Sequence, residues 1–192
     1  MSVRQYISGN IRNKADFFVT YIPYDSGKIK TQIHSKTSVL HGSKLQDVCN
    51  TALSDLHINH GQLKVIDNGG QYFVLQARIE SAVKSAHPKL DRESLGDFKK
   101  HAQYKSDRER FRRSRLYLPG NQAKLMLNAG IHQPDAIILD LEDSVVRSEK
   151  DSARLIVRNA LRHLNFFGAE RMVRINQGGT GLKDLEAVIP HN

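Results

Sequence analysis

Residues 135–145 read DAIILDLEDSV, an apolar run that ends in the three carboxylates Asp140, Glu142 and Asp143. The run predicts a buried β-strand, and the carboxyl ends of parallel strands are where α/β folds bind their ligands. At extended spacing Asp140 and Glu142 point to the same side, while Asp143 points away and is expected to cap the next helix. Carboxylates this close repel unless a cation lies between them, and Arg174, near the end of the next predicted strand, is the candidate. Ordinary helix-capping and loop acids are the alternative explanation.

Around this stretch, predicted strands and helices alternate. SRLYLPG (114–120) is read as a strand, NQAKLMLNAG (121–130) as a helix, and RMVRINQGG (171–179) as a third strand, followed by a helix that begins in GLKDLEAVI (181–189). Ser148 with Asp151 has the spacing of a cap for the helix between the second and third strands. This alternation predicts parallel strands joined by helical crossovers.

Residues 1–88 have a different pattern, which predicts a small α+β domain. FFVTYIP (17–23) and KIKTQIH (28–34) are expected to pair as a hairpin around residues 25–27. Ser43 and Gln46 have capping-box spacing at the start of a helix. GQLKVID (61–67) and QYFVLQ (71–76) are read as strands, and residues 79–86 as a short closing helix.

Charge and composition limit the function classes. The 192-residue chain has a net charge of +9 and 39% hydrophobic residues, which predicts a folded protein with an anionic partner: nucleic acid, an acidic membrane surface or a phosphate-bearing small molecule. Basic residues crowd the predicted linker, residues 89–111, where no recognisable nucleic-acid-binding motif occurs, so we expect no specific nucleic acid. No signal peptide or membrane span is recognised, which predicts a cytoplasmic protein without a membrane partner.

The single cysteine and the histidines near residue 60 are not predicted to be catalytic or metal-binding residues. Cys49, the single cysteine, lies in a helical apolar pattern and is expected to be a buried, reduced thiol. His57 and His60 stand at a predicted helix end, where a turn is favoured over a metal site.

Three segments resemble a known family in the same order: RRSRLYLPGN (112–121), DAIILDLEDSVVRSEKDSAR (135–154) and MVRIN (172–176). They resemble the beta subunit of citrate lyase and the malyl-CoA, citramalyl-CoA and citryl-CoA lyases of the HpcH/HpaI aldolase family. The resemblance implies a (β/α)8 TIM barrel, usually oligomeric, that uses Mg²⁺ to cleave a carbon–carbon bond in a 3-hydroxy dicarboxylyl-CoA. Residues 112–192 would hold its first three strand–helix units, which suggests a truncated form, since a full barrel needs roughly 250 residues.

The resemblance also implies roles for individual residues. Arg174 would clamp the carboxylate of the small keto acid bidentately, and Asp140, Glu142 and Asp143 would orient Arg174 and metal-bound waters. Phosphates of coenzyme A would contact Arg112, Arg113 and Lys124, for which surface solvation is the alternative. The family's direct metal ligands come from later strands, so they are expected beyond Asn192 and none is expected within this sequence.

A second resemblance covers the N-terminal part. SGNIRNKADFFVTYIP (8–23) and VIDNGGQYFVLQARIESAVKSA (65–86) resemble the acyl carrier (gamma) subunit of citrate lyase. That family bears a CoA-derived group on a serine shortly after a glycine, whereas Gly9 is followed by NIRNK (10–14). Ser8 stands on the wrong side of Gly9. We therefore expect no covalent prosthetic group, and a lyase that uses free CoA thioesters in a homo-oligomer or with citrate lyase-like subunits. The alternative is a non-catalytic carrier-like or assembly module.

Overall fold

A computed structural model describes residues 4–191 and divides the chain into two compact units. The N-terminal unit ends at Leu95 and the C-terminal unit begins at Gly96. No helix within residues 4–191 is both long and apolar enough to cross a membrane.

The N-terminal unit is a mixed sheet with two helices. Its elements are β1 (Tyr6–Ser8), β2 (Phe17–Ile22), β3 (Ile29–Ser35), α1 (Ser38–Asp55), β4 (Gly61–Asp67) and α2 (Tyr72–Ala86). The strand order is β1-β2-β4-β3, in which only β3 and β4 are parallel. Leu63 and Val65 alternate with more exposed residues along β4 and enter the core, which is the pattern of a strand with one buried face.

The predicted hairpin of β2 and β3 is wrong, although both strands exist. β4 lies between them, antiparallel to β2 and parallel to β3, with Val65 opposite both Val19 and Ile33. The turn residues 25–27 reverse the chain without pairing its two flanks, because α1 carries the chain back to place β4 in the gap.

Two further predictions in this unit are wrong. QYFVLQ is not a strand: Gln71 precedes α2, and the other five residues are its first ones. Every residue of α2 from Phe73 to Val83 is buried. A helix buried on all sides gives the same continuous apolar pattern as a buried strand. Ser43 does not cap a helix, because α1 begins five residues earlier at Ser38, and Gln46 instead donates to Asn50 Oδ1 at 2.9 Å.

The C-terminal unit has the predicted strand–helix alternation. Its elements are β5 (Arg115–Pro119), α3 (Ala123–Leu127), β6 (Ala136–Asp140), α4 (Lys150–His163), β7 (Glu170–Arg174) and α5 (Gly178–Val188). The strands form a parallel sheet in the order β5-β6-β7, and all five residues of the central strand β6 are buried. The parallel arrangement predicted from the sequence is therefore confirmed.

Helix ends in this unit differ from the predictions. α3 has only five residues and is followed by a 3-10 turn, so residues 121–130 are not one continuous helix. Ser148 does not cap α4, which begins at Lys150 without a side-chain cap, and Asp151 pairs with Arg154 at 2.6 Å.

The segment predicted as a linker, residues 89–111, is divided between the two units and packs within each of them. Ser94 is fully buried and its N–H donates to Glu80 Oε2 at 2.9 Å within the N-terminal unit. Within the C-terminal unit, the Tyr104 hydroxyl donates to Ala169 O at 2.6 Å, and the Arg171 guanidinium lies 4.6 Å from the centre of the Tyr104 ring. These contacts show that residues 89–111 are not a free linker.

Candidate active site at the carboxyl edge of the parallel sheet

The predicted acidic cluster lies where the three parallel strands end. Pro119, Asp140 and Arg174 are in register at the last positions of β5, β6 and β7. Gly120 N donates to Asp140 O at 2.8 Å, and Leu141 N donates to Arg174 O at 2.8 Å, so backbone bonds fix the three strand ends to each other.

Arg174 is the centre of the cluster. Its Nε contacts Glu142 Oε2 at 2.6 Å, its Nη2 donates to Asp143 Oδ2 at 2.7 Å, and its Nη1 lies 3.9 Å from Asp140 Oδ2. The sequence analysis correctly placed Arg174 as the partner of these acids. The catalytic roles given to the four residues stay a prediction.

Electrostatics keep Arg174 charged. Desolvation opposes its charge, but the hydrogen bond to Asp143 and the charges of Asp143, Glu142 and Asp140 outweigh that effect and raise the pKa of the guanidinium above its ordinary value. Three carboxylates therefore lie around one guanidinium at this edge.

Asp140 and Asp143 have different functions in the fold from those predicted. The buried Asp140 carboxylate accepts from Glu142 N at 2.8 Å and Ser144 N at 3.2 Å, so it holds the turn after β6 in addition to facing Arg174. Asp143 does not cap α4, which begins seven residues later at Lys150; it pairs with Arg174 while its side chain is 74% exposed.

Lys150, for which the sequence predicted no role, closes the acidic turn, residues 141–144 directly after β6. Lys150 Nζ donates to Leu141 O at 2.6 Å and also to Glu142 O. Lys150 belongs to the segment 135–154 that carries the family resemblance, but nothing in the spacing alone shows that its ammonium reaches back to backbone carbonyls.

A buried network supports the loop after β7. Asp184 on α5 is fully buried; its Oδ2 accepts from Asn176 N at 2.8 Å and Asn176 Nδ2 at 2.7 Å, and its Oδ1 accepts from Arg154 Nε at 2.7 Å. Asn176 Nδ2 also donates to Leu141 O at 3.0 Å. This network links α4, α5 and the turn after β6, and the sequence carries no short-range signal for it.

The three predicted coenzyme A contacts are not brought together. Arg112 makes an ion pair with Glu170, the first residue of β7, and Arg113 lies 4.9 Å over the Phe111 ring. Both precede β5, whose five residues rise roughly 13 Å from them to the carboxyl edge, so neither joins the Arg174 cluster. Lys124 lies on α3, which follows the carboxyl end of β5, and its side chain is exposed.

Residues 4–191 contain no group of three or more histidine, cysteine or acidic side chains placed to hold a metal ion. The acids of the cluster diverge around Arg174, so they do not form a Mg²⁺ ligand set by themselves. Direct metal ligands were expected only beyond Asn192, which itself lies outside the described residues, so this expectation stays a prediction.

The two histidines at the end of α1 have turn functions. His57 has a left-handed φ of 54° after α1, and His60 Nδ1 contacts Gly27 O. Both observations agree with the turn that the sequence predicts at this position.

Comparisons with known proteins agree with both resemblances. Residues 113–189 match the family described as HpcH/HpaI aldolase/citrate lyase, and residues 4–86 match the family described as malonate decarboxylase delta subunit (MdcD). Residues 113–189 are therefore similar to HpcH/HpaI aldolases and residues 4–86 to an acyl-carrier-type family, in the order that the sequence predicted.

Three curated relatives resemble the C-terminal part. Citrate lyase subunit beta of Haemophilus influenzae is 45% identical over 82 residues, which are 42% of this chain and 28% of that protein. (3S)-malyl-CoA thioesterase of Cereibacter sphaeroides is 40% identical over 77 residues (39% and 27%), and mitochondrial citramalyl-CoA lyase of Homo sapiens is 35% identical over 80 residues (41% and 24%). The matched part of this chain spans about a quarter of the length of these relatives.

Proposed function

We propose that the C-terminal unit supplies the carboxylate-binding part of a carbon–carbon lyase that cleaves a short 3-hydroxy dicarboxylyl-CoA, such as citramalyl-CoA, citryl-CoA or malyl-CoA. One observation carries the proposal: Arg174 stands in register with the buried Asp140 at the carboxyl edge of a parallel sheet, held by two ion pairs. The likeness to citrate lyase subunit beta and citramalyl-CoA lyase supports this choice of reaction. A complete (β/α)8 barrel and an oligomer belong to the same proposal.

In this proposal Arg174 binds the carboxylate of the keto-acid portion of the substrate. Nε and Nη2 are occupied by Glu142 and Asp143, whereas Nη1 makes no hydrogen bond to any described residue. The bidentate clamp expected from the sequence therefore requires one partner to leave. Asp143 is the partner that leaves, because its exposed ion pair costs little to break, and the substrate then takes Nη1 and Nη2 together.

Glu142 and Asp140 would position Arg174 during the reaction. Glu142 keeps its contact with Nε at 2.6 Å, and Gln177 Nε2 donates to its other oxygen at 3.3 Å. Asp140 fixes the turn that carries Glu142. With the guanidinium held, cleavage of the carbon–carbon bond leaves the enolate of an acetyl thioester, whose developing charge needs a cation near its oxygen. Family members are expected to use Mg²⁺ for this purpose, and residues 4–191 offer no ligand set for it.

Thermal unfolding in the presence of keto acids tests the proposal. Pyruvate, glyoxylate or oxaloacetate should raise the melting temperature of the purified chain, and we expect added Mg²⁺ to increase the effect. Arg174→Gln should abolish the increase, while Arg92→Gln, which removes an exposed arginine from the N-terminal unit, should retain it. Equal shifts in both variants would reject the site.

The N-terminal unit would act as a docking or assembly module without a covalent arm. Loop residues 10–14 contain no serine, and Ser8 is buried at the end of β1. This observation also favours the second candidate function, a non-catalytic carrier-like module of a citrate lyase-type complex. The keto-acid experiment separates the two, because a carrier-like module has no reason to bind a keto acid at Arg174.

A further inference from the structure

A groove opens at one edge of the N-terminal unit, where the parallel strands β3 and β4 both end and where α1 and α2 both begin. Two adjoining cavities of about 370 Å³ each form this edge groove, and they share Thr37, Asp67 and Gly69. Ligand pockets for small molecules have volumes of roughly 300–1,000 Å³, so the groove is large enough for a small ligand.

Unpaired positive charge surrounds the first cavity. Arg12, Lys14 and Lys36 line it, all three are exposed, and their side chains make no ion pair or hydrogen bond with the residues that the structure describes. The acid in the lining is Asp67, whose two carboxylate oxygens accept from Ser35 Oγ and Gly69 N, each at 2.7 Å. Because Asp67 holds the turn after β4, it leaves the three cations for another anion.

The backbone adds donors on the same side. α1 has 18 residues and α2 has 15, and the residues that precede them, Thr37 and Gln71, both line the groove. Neither residue makes a side-chain cap, and neither helix has an acid in its first turn. Helix N-termini carry a partial positive charge and N–H groups without an intrahelical partner, so both reinforce the field of the basic side chains.

We propose that the edge groove binds a diphosphate without forming a covalent bond. Two linked phosphates match a site lined by three flexible cations and by the residues that precede two helix N-termini. The second cavity, lined by the His41 and Tyr72 rings, has room for the organic part of a nucleotide. The ligand is thus a nucleoside diphosphate or free pyrophosphate. All of these residues lie in the N-terminal unit, so the inference does not rest on the proposed lyase function.

Calorimetric titration of the full chain with ADP and with inorganic pyrophosphate, at physiological salt and without added metal, tests this site. The variant Lys14→Gln with Lys36→Gln removes two charges from the groove. The matched control, Lys28→Gln with Lys30→Gln, removes two exposed charges at the opposite end of β3, roughly 20 Å away. Both variants change exposed side chains and should unfold at the temperature of the wild type.

We expect one saturable site, with Kd raised about tenfold or more in the groove variant and less than about twofold in the control. Stronger binding of ADP than of pyrophosphate identifies a nucleotide that extends into the second cavity, whereas equal binding identifies the phosphates alone; both outcomes support the site. In ¹⁵N-resolved NMR spectra of the same titration, the Gly69 amide should shift. The absence of saturable binding would overturn the inference. Equal weakening in the two variants would also overturn it, because that result would indicate nonspecific attraction of the anion to a basic chain.

Discussion

At the scale of single residues, exposure separates the two acids that hold Arg174. The Glu142 side chain is 21% exposed, whereas that of Asp143 is 74% exposed, although both contact the guanidinium at 2.6–2.7 Å. A partly buried pair fixes geometry more strongly than an exposed one, because water screens the exposed charge. We therefore assign orientation of Arg174 to Glu142 and exchange with the substrate to Asp143.

This assignment predicts opposite effects for two similar substitutions. Asp143→Asn removes the charge that competes for Nη2, so Kd for a keto acid should fall about two- to fivefold. Glu142→Gln releases Nε and lets the guanidinium turn, so Kd should rise. Calorimetric titration with glyoxylate measures both; changes in the same direction would contradict the division of roles.

Cys49 illustrates a residue whose state the sequence predicted well. It is fully buried on α1, as the helical apolar pattern indicated, and burial raises the pKa of its thiol to about 12. We expect no reaction with a thiol reagent at pH 8 in the native state and one equivalent after unfolding in urea. Rapid labelling of the native chain would show that α1 packs differently.

At the scale of elements, the buried network around Asp184 should determine the stability of the carboxyl edge. Asp184→Asn leaves the Arg154 charge without its buried partner and should lower the free energy of unfolding by about 3–5 kcal/mol. Asp151, which pairs with the same arginine but has an 85% exposed side chain, is the matched control. Asp151→Asn should cost less than about 1 kcal/mol in urea denaturation. Similar losses in both variants would rule out a special role for the buried pair.

The ion pair of Arg112 with Glu170 joins the segment before β5 to the start of β7 and should make stability depend on pH. The hydrogen bond from Arg112 lowers the pKa of Glu170 from its ordinary value of 4.5. The folded state therefore binds fewer protons than the unfolded state near that pH, so the pair stabilises the fold above about pH 4.5. This contribution is lost as the pH falls through the lowered pKa. The difference in unfolding free energy between the wild type and Glu170→Gln should shrink from pH 7 to pH 3; a constant difference would contradict the pairing.

Local patterns predicted strands better than they predicted pairing. The apolar runs of β4 and β6 identified both strands, and the shared edge of parallel strands brought Arg174 to Asp140. The position of β4 between β2 and β3 depends on the crossover through α1, which no turn signal reports. The contacts of Asp143 and Lys150 were not predicted for a related reason. Nine residues separate β6 from α4, and the course of this segment is set by tertiary contacts that a local sequence pattern does not report.

At the scale of the whole molecule, two segments with different relatives follow one another in one chain. The sequence revealed this arrangement because ordered motifs survive in each segment. The coenzyme A contacts expected for Arg112 and Arg113 stay a prediction, and in the structure both arginines lie away from the carboxyl edge. The absence of a serine from residues 10–14 predicts that intact-mass spectrometry of the chain purified from its native host finds no phosphopantetheine-type adduct. Detection of that adduct would contradict the proposal that the N-terminal unit has no covalent arm.

The most direct test of the central claim is an NMR titration that observes the Nε–H signal of Arg174, assigned by its loss in Arg174→Gln, as glyoxylate is added. Contact of a keto-acid carboxylate with this guanidinium predicts a saturable shift of that signal, with half-saturation at a lower concentration in Asp143→Asn. If the Arg174 signal stays in place while glyoxylate shifts other signals, the ligand binds elsewhere and Arg174 serves only to hold the acidic turn.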